Sequence, residues 1–210
     1  MTAAWPVTVI VMAKAPVPGF AKTRLIPALG AEGAAALAAR LLDAALAQAL
    51  GAALGPVELC CAPDTRHPAF QRHAGVPGLE LSGQGEGDLG ARMARAFERC
   101  LAHATPVLMI GTDAPALDAA MLRRAAAALS DADADADAVF VPALDGGYAL
   151  IGLRRPAPTL FDAMAWSTST VMARSRERLA AAGLRHTELP PVADIDEPAD
   201  LVHLPPGWLT

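Results

Sequence analysis

Residues 6–13 read PVTVIVMA, and residues 14–25 follow at once as KAPVPGFAKTRL. The first run is apolar, rich in β-branched side chains and of strand length, so it predicts a buried strand. The second is a Pro/Gly loop carrying Lys14, Lys22 and Arg24. In an open α/β sheet, ligands bind outside the carboxyl ends of the strands. Three cations on one such loop suggest phosphate. The spacing matches neither G-x-x-x-x-G-K-[ST] nor G-x-G-x-x-G, so the phosphate-binding mechanisms of those motifs are not invoked. The same residues also read as a surface loop with solvated cations.

Strand-like and helix-like segments alternate downstream. Residues 31–50 place Leu37, Leu41, Leu42, Leu46 and Leu50 at helical spacing. VELCCA at 57–62 reads as a buried strand. Residues 86–104 put Leu89, Met93, Phe97, Cys100 and Leu101 on one helical face. PVLMIG at 106–111 is the next buried strand, and residues 118–129 form a helix with Asp118 as its N-cap. AVFVP at 138–142 and YALIGL at 148–153 are two strands joined across Asp145-Gly146-Gly147. A helix over 170–182 ends at Gly183, a strand follows at 185–189, and residues 198–204 form a short closing helix. This alternation predicts an α/β sandwich with a mainly parallel central sheet, in one domain spanning residues 1–210. The Asp-Ala alternation at 131–138 lacks the Gly and the downstream Glu of a calcium loop, and it reads as a solvated connection.

Composition narrows the class. The 210 residues are 53% hydrophobic and 19% charged, which favours a globular chain over a disordered one. The net charge is −5 and no long basic run occurs, which argues against nucleic acid as a partner. A basic loop in an acidic protein points instead to a small anionic ligand. Cys60, Cys61 and Cys100 show no C-x-x-C spacing and read as reduced, buried thiols, which fits the cytoplasm. The first apolar run is too short for a membrane span and lacks a basic leader, so neither a span nor a signal peptide is expected.

Two acidic sites carry chemistry. Asp113 follows the strand at 106–111 directly, in Gly111-Thr112-Asp113-Ala114-Pro115, so it falls on the ligand edge of the sheet. A carboxylate there needs a cation or hydrogen bonds, and magnesium is often held by one or two carboxylates plus substrate phosphates. The alternative, a cap for the next helix, is better filled by Asp118. Asp194-Ile195-Asp196 is the second site. In an extended segment its two carboxylates face one side, and their repulsion calls for a cation or for capping N–H groups. Asp196 reads either as a metal ligand or as a cap for the helix beginning at Pro198. Asp145-Gly146-Gly147-Tyr148 is a hairpin turn whose glycines also let backbone approach a ligand. Gln84-Gly85-Glu86-Gly87-Asp88 opens a helix, with Asp88 as cap and glycine N–H groups open to a ligand. No Ser-His-Asp arrangement can be placed, and the five histidines stand in unrelated surface contexts.

With these motifs in order, the chain resembles the glycosyltransferase-like proteins associated with radical-SAM and selenoprotein-type neighbours. They belong to the nucleotide-diphospho-sugar transferase superfamily. The resemblance rests on MAKAPVPG (12–19), KTRL (22–25), QGEGDLGARM (84–93), IGTDAP (110–115), PALDGGYALIGL (142–153), Trp166-Ser167-Thr168 and DIDEPADL (194–201). It implies a GT-A fold, a Rossmann-like three-layer α/β/α sandwich. It implies that Lys14, Lys22 and Arg24 face nucleotide phosphates, with Gln84, Gly87 and Asp88 near the base. It implies that Thr112 and Asp113 meet the nucleotide, and that Asp113 and Asp196 hold a divalent metal, Mg or Mn. Asp145, Gly146, Gly147, Tyr148 and Trp166 would line the sugar or acceptor side. A nucleotide-sugar donor and a small acceptor are the implied partners, with Lys22, Arg24 and Asp145 as catalytic groups.

Two departures bear on the reaction. Metal-dependent glycosyltransferases of this fold usually carry D-x-D, whereas Thr112-Asp113-Ala114 has one Asp. Sugar nucleotidyltransferases usually open with a G-x-G-x-R-type loop, whereas here stands Pro16-Val17-Pro18-Gly19. Residues 21–25 also look like the opening of the phospholactate guanylyltransferases. Glycosyl transfer is therefore the first expectation, nucleotidyl transfer with pyrophosphate as leaving group the second, and a non-catalytic nucleotide-binding module the third.

Overall fold

The computed structural model describes residues 6–103, 105–130 and 135–209. The first four residues of the Asp-Ala alternation lie outside this set. The described strands are β1 (Thr8–Lys14), β2 (Val57–Ala62), β3 (Leu79–Gly83), β4 (Val107–Ile110), β5 (Ala138–Pro142), β6 (Tyr148–Leu153) and β7 (His186–Glu188). They form one sheet in the order β3-β2-β1-β4-β6-β5-β7. All neighbours are parallel except β6, which runs antiparallel to both β4 and β5. The mainly parallel sheet expected from sequence is thus observed. Its exception is the second arm of the hairpin across residues 143–147.

The helices are α1 (Ile26–Gly51), α2 (Pro68–Gln71), α3 (Leu89–Leu101), α4 (Ala119–Ser130) and α5 (Val171–Ala181). Strand side chains alternate between two faces, as a period of two requires. Val9, Val11, Leu108, Ile110, Val139 and Val141 pack with Leu42 and Leu46 of α1 and Leu122 and Leu129 of α4. Ile10, Val107, Met109 and Phe140 pack with Met93 and Phe97 of α3 and Met172 and Leu179 of α5. The result is three layers, α/β/α. Burying each such side chain contributes about 1.5–3 kcal/mol, which is why these strands read as continuous apolar runs.

Helix α1 begins earlier than its leucine spacing predicts. Pro27 sits in its first turn, and Gly30 bends it at φ 71°. Among the described residues, Thr23–Gly51 alone is long and apolar enough to cross a membrane. Its Leu37, Leu41, Leu42 and Leu46 are instead buried inside the fold. The start of α1 also carries a third cluster: Leu25, Ala34, Leu37 and Leu41 close around Ile195. Arg40 fixes the chain end beyond it, with its guanidinium 4.7 Å from the centre of the Trp208 ring and Nη1 donating to the Trp208 carbonyl at 3.1 Å. This strapping brings Asp194 and Asp196 back to the loop after β1.

The three thiols are free and buried, as expected. Burial pushes Cys61 and Cys100 up to about 12, so both stay protonated. Glu58, the one charge in VELCCA, accepts hydrogen bonds from Arg99 and from Ser82 (2.6 Å). Burial alone would raise its carboxyl, but the hydrogen bonds from Arg99 and Ser82 outweigh it and hold the group below the usual carboxylate range.

Gly152 of β6 lets Leu129 of α4 reach the sheet. A Cβ there would lie 2.5 Å from Leu108 Cδ2, 2.6 Å from Val139 Cγ1 and 2.9 Å from Leu129 Cδ1. Gly152→Ala should therefore lower stability by about 1–3 kcal/mol through overpacking. A denaturant titration reads this as a lower midpoint at unchanged slope, and an unchanged midpoint would show that the three side chains yield freely.

Candidate functional site

The sheet order reverses between β1 and β4. Strands β2 and β3 continue to one side of β1, while β6, β5 and β7 lie beyond β4. At such a switch point the loops leaving two parallel neighbours diverge and open a crevice at their carboxyl ends. The loop after β1 carries Lys22 and Arg24, and the loop after β4 carries Thr112 and Asp113. The two loops selected from sequence thus meet at the position where this class of sheet binds its ligands.

Ile195 closes the crevice from a third side. Fully buried, it donates its backbone N–H to the Asp113 carbonyl at 2.8 Å and accepts at its own carbonyl from Lys22 Nζ at 2.5 Å. With Ile195 turned inward, Asp194 and Asp196 stay partly exposed on either side of it, which is the alternation expected from sequence. Lys22 Nζ lies 2.7 Å from Asp113 Oδ1 and 3.9 Å from Asp196 Oδ1. Arg24 Nη1 lies 2.6 Å from Asp196 Oδ2 and 3.8 Å from Glu197 Oε1. The Lys22 side chain is 7% exposed and that of Asp113 is 50% exposed, so the ammonium lies beneath a carboxylate that still faces solvent. Thr112 Oγ1 also donates to Asp113 Oδ1, at 3.2 Å. Asp118, not Asp113, caps α4: its Oδ1 accepts from the Met121 N–H at 2.7 Å.

Beside this cluster lies an open cavity of about 350 Å³. Arg24, Leu144, Asp145, Asp194, Asp196 and His203 are among its walls. Burial, and then the nearby Asp145 carboxylate, raise the Asp194 carboxyl above its usual range, with Asp200 and Asp113 pushing the same way. Carboxylates outnumber the one guanidinium, Arg24, among these walls. Among the described residues, no three His, Cys, Asp or Glu side chains converge closely enough to hold a metal ion unaided. Asp113 and Asp196 do converge on one point, that of the Lys22 ammonium. Two carboxylates are hard oxygen ligands of the kind magnesium or manganese takes.

The other residues selected from sequence fall around the crevice in different states. Lys14 is exposed and donates to the Phe20 carbonyl at 2.9 Å, bracing the loop that carries Lys22. Gln84 is buried; its Nε2 bonds the Ala13 and Cys60 carbonyls, both at 3.0 Å, and so ties the ends of β1 and β2 together. Its loop is clamped from α3: Arg95 donates to the Gln84 and Glu86 carbonyls and Arg92 to that of Gly87. Asp88 caps α3 through the Ala91 N–H at 2.8 Å. Asp145 is exposed on the cavity wall, and its Oδ1 accepts from the Gly147 N–H at 2.7 Å, which fixes the carboxylate's orientation.

Gly146 (φ 93°) does meet a close backbone, that of Ser169: a Cβ would overlap the Ser169 carbonyl oxygen and lie 2.7 Å from its Cα. Tyr148 packs edge-on against Phe140, with ring centres 5.3 Å apart, and burial pushes its phenol well up. The Trp166 indole lies against Gly90 at the start of α3. Its buried Nε1 has no hydrogen-bond partner among the described residues. The sequence reading missed Ile195, whose backbone ties Lys22 to Asp113. Its apolar side chain between two aspartates was the one available signal.

The chain belongs to the family described as an uncharacterised protein conserved in bacteria, DUF2064, whose model matches residues 43–168. That span includes the 84–88 loop, Asp113, the Asp145 turn and Trp166; Lys22, Arg24 and Asp196 lie outside it. No functionally curated protein matches the chain. Among solved structures, it is similar to a protein of Desulfovibrio desulfuricans G20 provisionally named a nucleotide-diphospho-sugar transferase. Identity is 28% and the TM-score 0.82, over 93% of this chain and 84% of that one. A nucleotidyl transferase from Methanothermobacter shares the fold at 18% identity and TM-score 0.66, over 97% and 98% of the two chains. So does a CMP-2-keto-3-deoxy-manno-octonic acid synthetase complexed with CTP, at 11% identity and TM-score 0.58, over 94% and 96%. The fold is that of the nucleotide-diphospho-sugar transferases.

Proposed function

We propose that this chain is a transferase that takes a nucleotide-diphospho-sugar and moves its glycosyl group to a small acceptor in the neighbouring cavity. The observation that carries this reading is the meeting of Lys22 and Arg24 with Asp113 and Asp196 at the switch point. Two cations suited to phosphate and two carboxylates suited to a divalent cation share one crevice. Asp113 and Asp196 would hold magnesium or manganese, and that ion would offset charge on the departing diphosphate as a Lewis acid. Lys22 and Arg24 supply positive charge for the phosphates, where charge-assisted hydrogen bonds are stronger than neutral ones. The acceptor occupies the cavity, where Asp145 faces it as general base for a hydroxyl. Trp166 and Tyr148 would edge the sugar side, and the N–H groups of residues 85–88 would lie toward the nucleotide; that of Gln84 is bonded to the Cys61 carbonyl at 2.9 Å. Lys14 acts at one remove, through the loop it braces.

The single Asp in Thr112-Asp113-Ala114 favours a second reading, nucleotidyl transfer. There a phosphorylated substrate attacks the α-phosphorus of a nucleoside triphosphate and pyrophosphate leaves. The products separate the two. A panel of nucleoside triphosphates and nucleotide-sugars with Mg or Mn is first screened by thermal shift. A ligand at a hundred times its dissociation constant adds about 2.7 kcal/mol of stability. Stabilising donors are then incubated with candidate acceptors and followed by phosphorus NMR. Nucleoside diphosphate as product supports glycosyl transfer. Pyrophosphate supports the second reading, and binding without turnover of any donor overturns both.

A further inference from the structure

The two cations suited to phosphate and the two carboxylates suited to a metal are, in this structure, bonded to one another. Lys22 Nζ fills the point on which Asp113 Oδ1 and Asp196 Oδ1 converge, at 2.7 and 3.9 Å. Arg24 holds the other oxygen of Asp196 at 2.6 Å. The ammonium is also bonded to the Ile195 carbonyl, and its side chain is almost fully covered. The backbone pays for this placement: Lys22 stands in the left-handed region, at φ 47° and ψ 46°, which costs a non-glycine residue about 1–2 kcal/mol. An ammonium and a divalent cation repel each other and cannot occupy one point.

We propose that Lys22 is an internal counter-ion that keeps the place of the divalent cation, and that it moves to substrate phosphate when the cation binds. The proposal rests on the reading of Asp113 and Asp196 as metal ligands. In the resting crevice Lys22 and Arg24 balance the charges of Asp113 and Asp196, with Glu197 as a further carboxylate at 3.8 Å from Arg24. A divalent cation arriving alone meets an ammonium and a guanidinium. A diphosphate arriving alone finds both cations already paired. The two arriving together leave every charge matched. Lys22 thereby makes metal and diphosphate binding cooperative, and keeps bare metal out of an acidic crevice that would otherwise attract it.

The test uses Mn2+ alone, and Mn2+ with methylenediphosphonate as a diphosphate lacking base and sugar. Binding is followed by electron paramagnetic resonance in the wild type, in Lys22→Met and in Asp113→Asn. Met preserves the packed stem of the side chain and removes its charge. Lys22→Met should bind Mn2+ alone about tenfold more tightly than the wild type, equivalent to about 1.4 kcal/mol. With the diphosphonate present the order should reverse, because the wild type alone then offers the phosphates an ammonium. A lysine that only supported the fold would not produce this crossing. If Lys22→Met binds bare Mn2+ no more tightly than the wild type, the exchange is overturned. If that happens while Asp113→Asn abolishes binding, the metal site stands without the exchange. If no protein binds Mn2+ in either condition, the metal reading falls as well. A wild-type measurement covers the case in which the variant does not fold. The Lys22 ammonium resonance should shift or vanish on adding Mg2+ with diphosphonate, and an unmoved resonance with Mg2+ bound overturns the proposal.

Discussion

Asp113→Asn should lower turnover by about a hundredfold to a thousandfold, the loss typical when one preorganised electrostatic contact to the reacting groups is removed. It should leave the protein folded. The amide keeps an oxygen at the position of Oδ1, so Lys22 and Thr112 retain an acceptor. The carboxylate is half exposed, so water screens part of the lost charge pairing, and the covered Lys22 ammonium keeps the Ile195 carbonyl and Asp196. The discriminating measurement is nucleotide affinity with and without Mn2+. In the wild type the metal should tighten binding; in Asp113→Asn most of that gain should be gone, while metal-free affinity is unchanged or better because Lys22 is held less firmly. A variant whose nucleotide affinity keeps its full metal dependence would remove Asp113 from the metal site and leave it a support for Lys22.

The layers of this fold were legible because the physics that makes them is local. β1, β4 and β5 are buried on both faces along most of their length, so each appears as an apolar run, and β2 departs from this only at Glu58. α3 buries one stripe, so its Met93, Phe97 and Cys100 recur at helical spacing. What escaped was marginal in the same terms. β3 is an edge strand with Glu80, Ser82 and Gly83 among its five residues, and α2 is a single turn. Neither buries enough to leave a pattern. The first turn of α1 was hidden by Pro27 and Gly30, which usually break helices. Here Pro27 sits where its missing N–H costs nothing, and Gly30 supplies a bend.

The site was legible in its parts and not in its connections. Lys22, Arg24, Asp113 and Asp196 were identified one at a time by residue type at a strand end. That Lys22 reaches the Ile195 carbonyl, 173 residues away, depends on how the chain end is strapped across α1, and no local pattern encodes that. The resemblance set Gln84 near the base, and in the structure its Nε2 joins β1 to β2. At Asp88 the cap and the ligand readings competed, and the Ala91 N–H takes the carboxylate.

The turn at 145–147 should separate folding from catalysis through its two glycines. Gly146→Ala places a methyl group onto the Ser169 carbonyl oxygen and 2.7 Å from the Ser169 Cα, at φ 93°. Neither neighbour is a flexible side chain, and the Gly146 carbonyl also accepts from the Met172 N–H at 2.9 Å. Relief therefore requires moving the start of α5 as a body. Overpacking and left-handed strain together should cost about 3 kcal/mol or more, seen as a thermal midpoint lower by many degrees. Gly147→Ala differs in kind. Its Cβ would meet only the Asp145 carboxylate, with Oδ1 at 3.1 Å, and its backbone lies outside the left-handed region. Stability should fall by less than about 1 kcal/mol, while the carboxylate that lines the cavity is pushed off its hydrogen bond to the Gly147 N–H. If Asp145 is the base for the acceptor, Gly147→Ala should lower turnover, leave donor affinity near normal, and be no worse than Asp145→Asn. Should Gly147→Ala and Asp145→Asn both turn over normally in a folded protein, the turn serves only to pin α5. The base must then be sought among the other carboxylates of the cavity, Asp194 first.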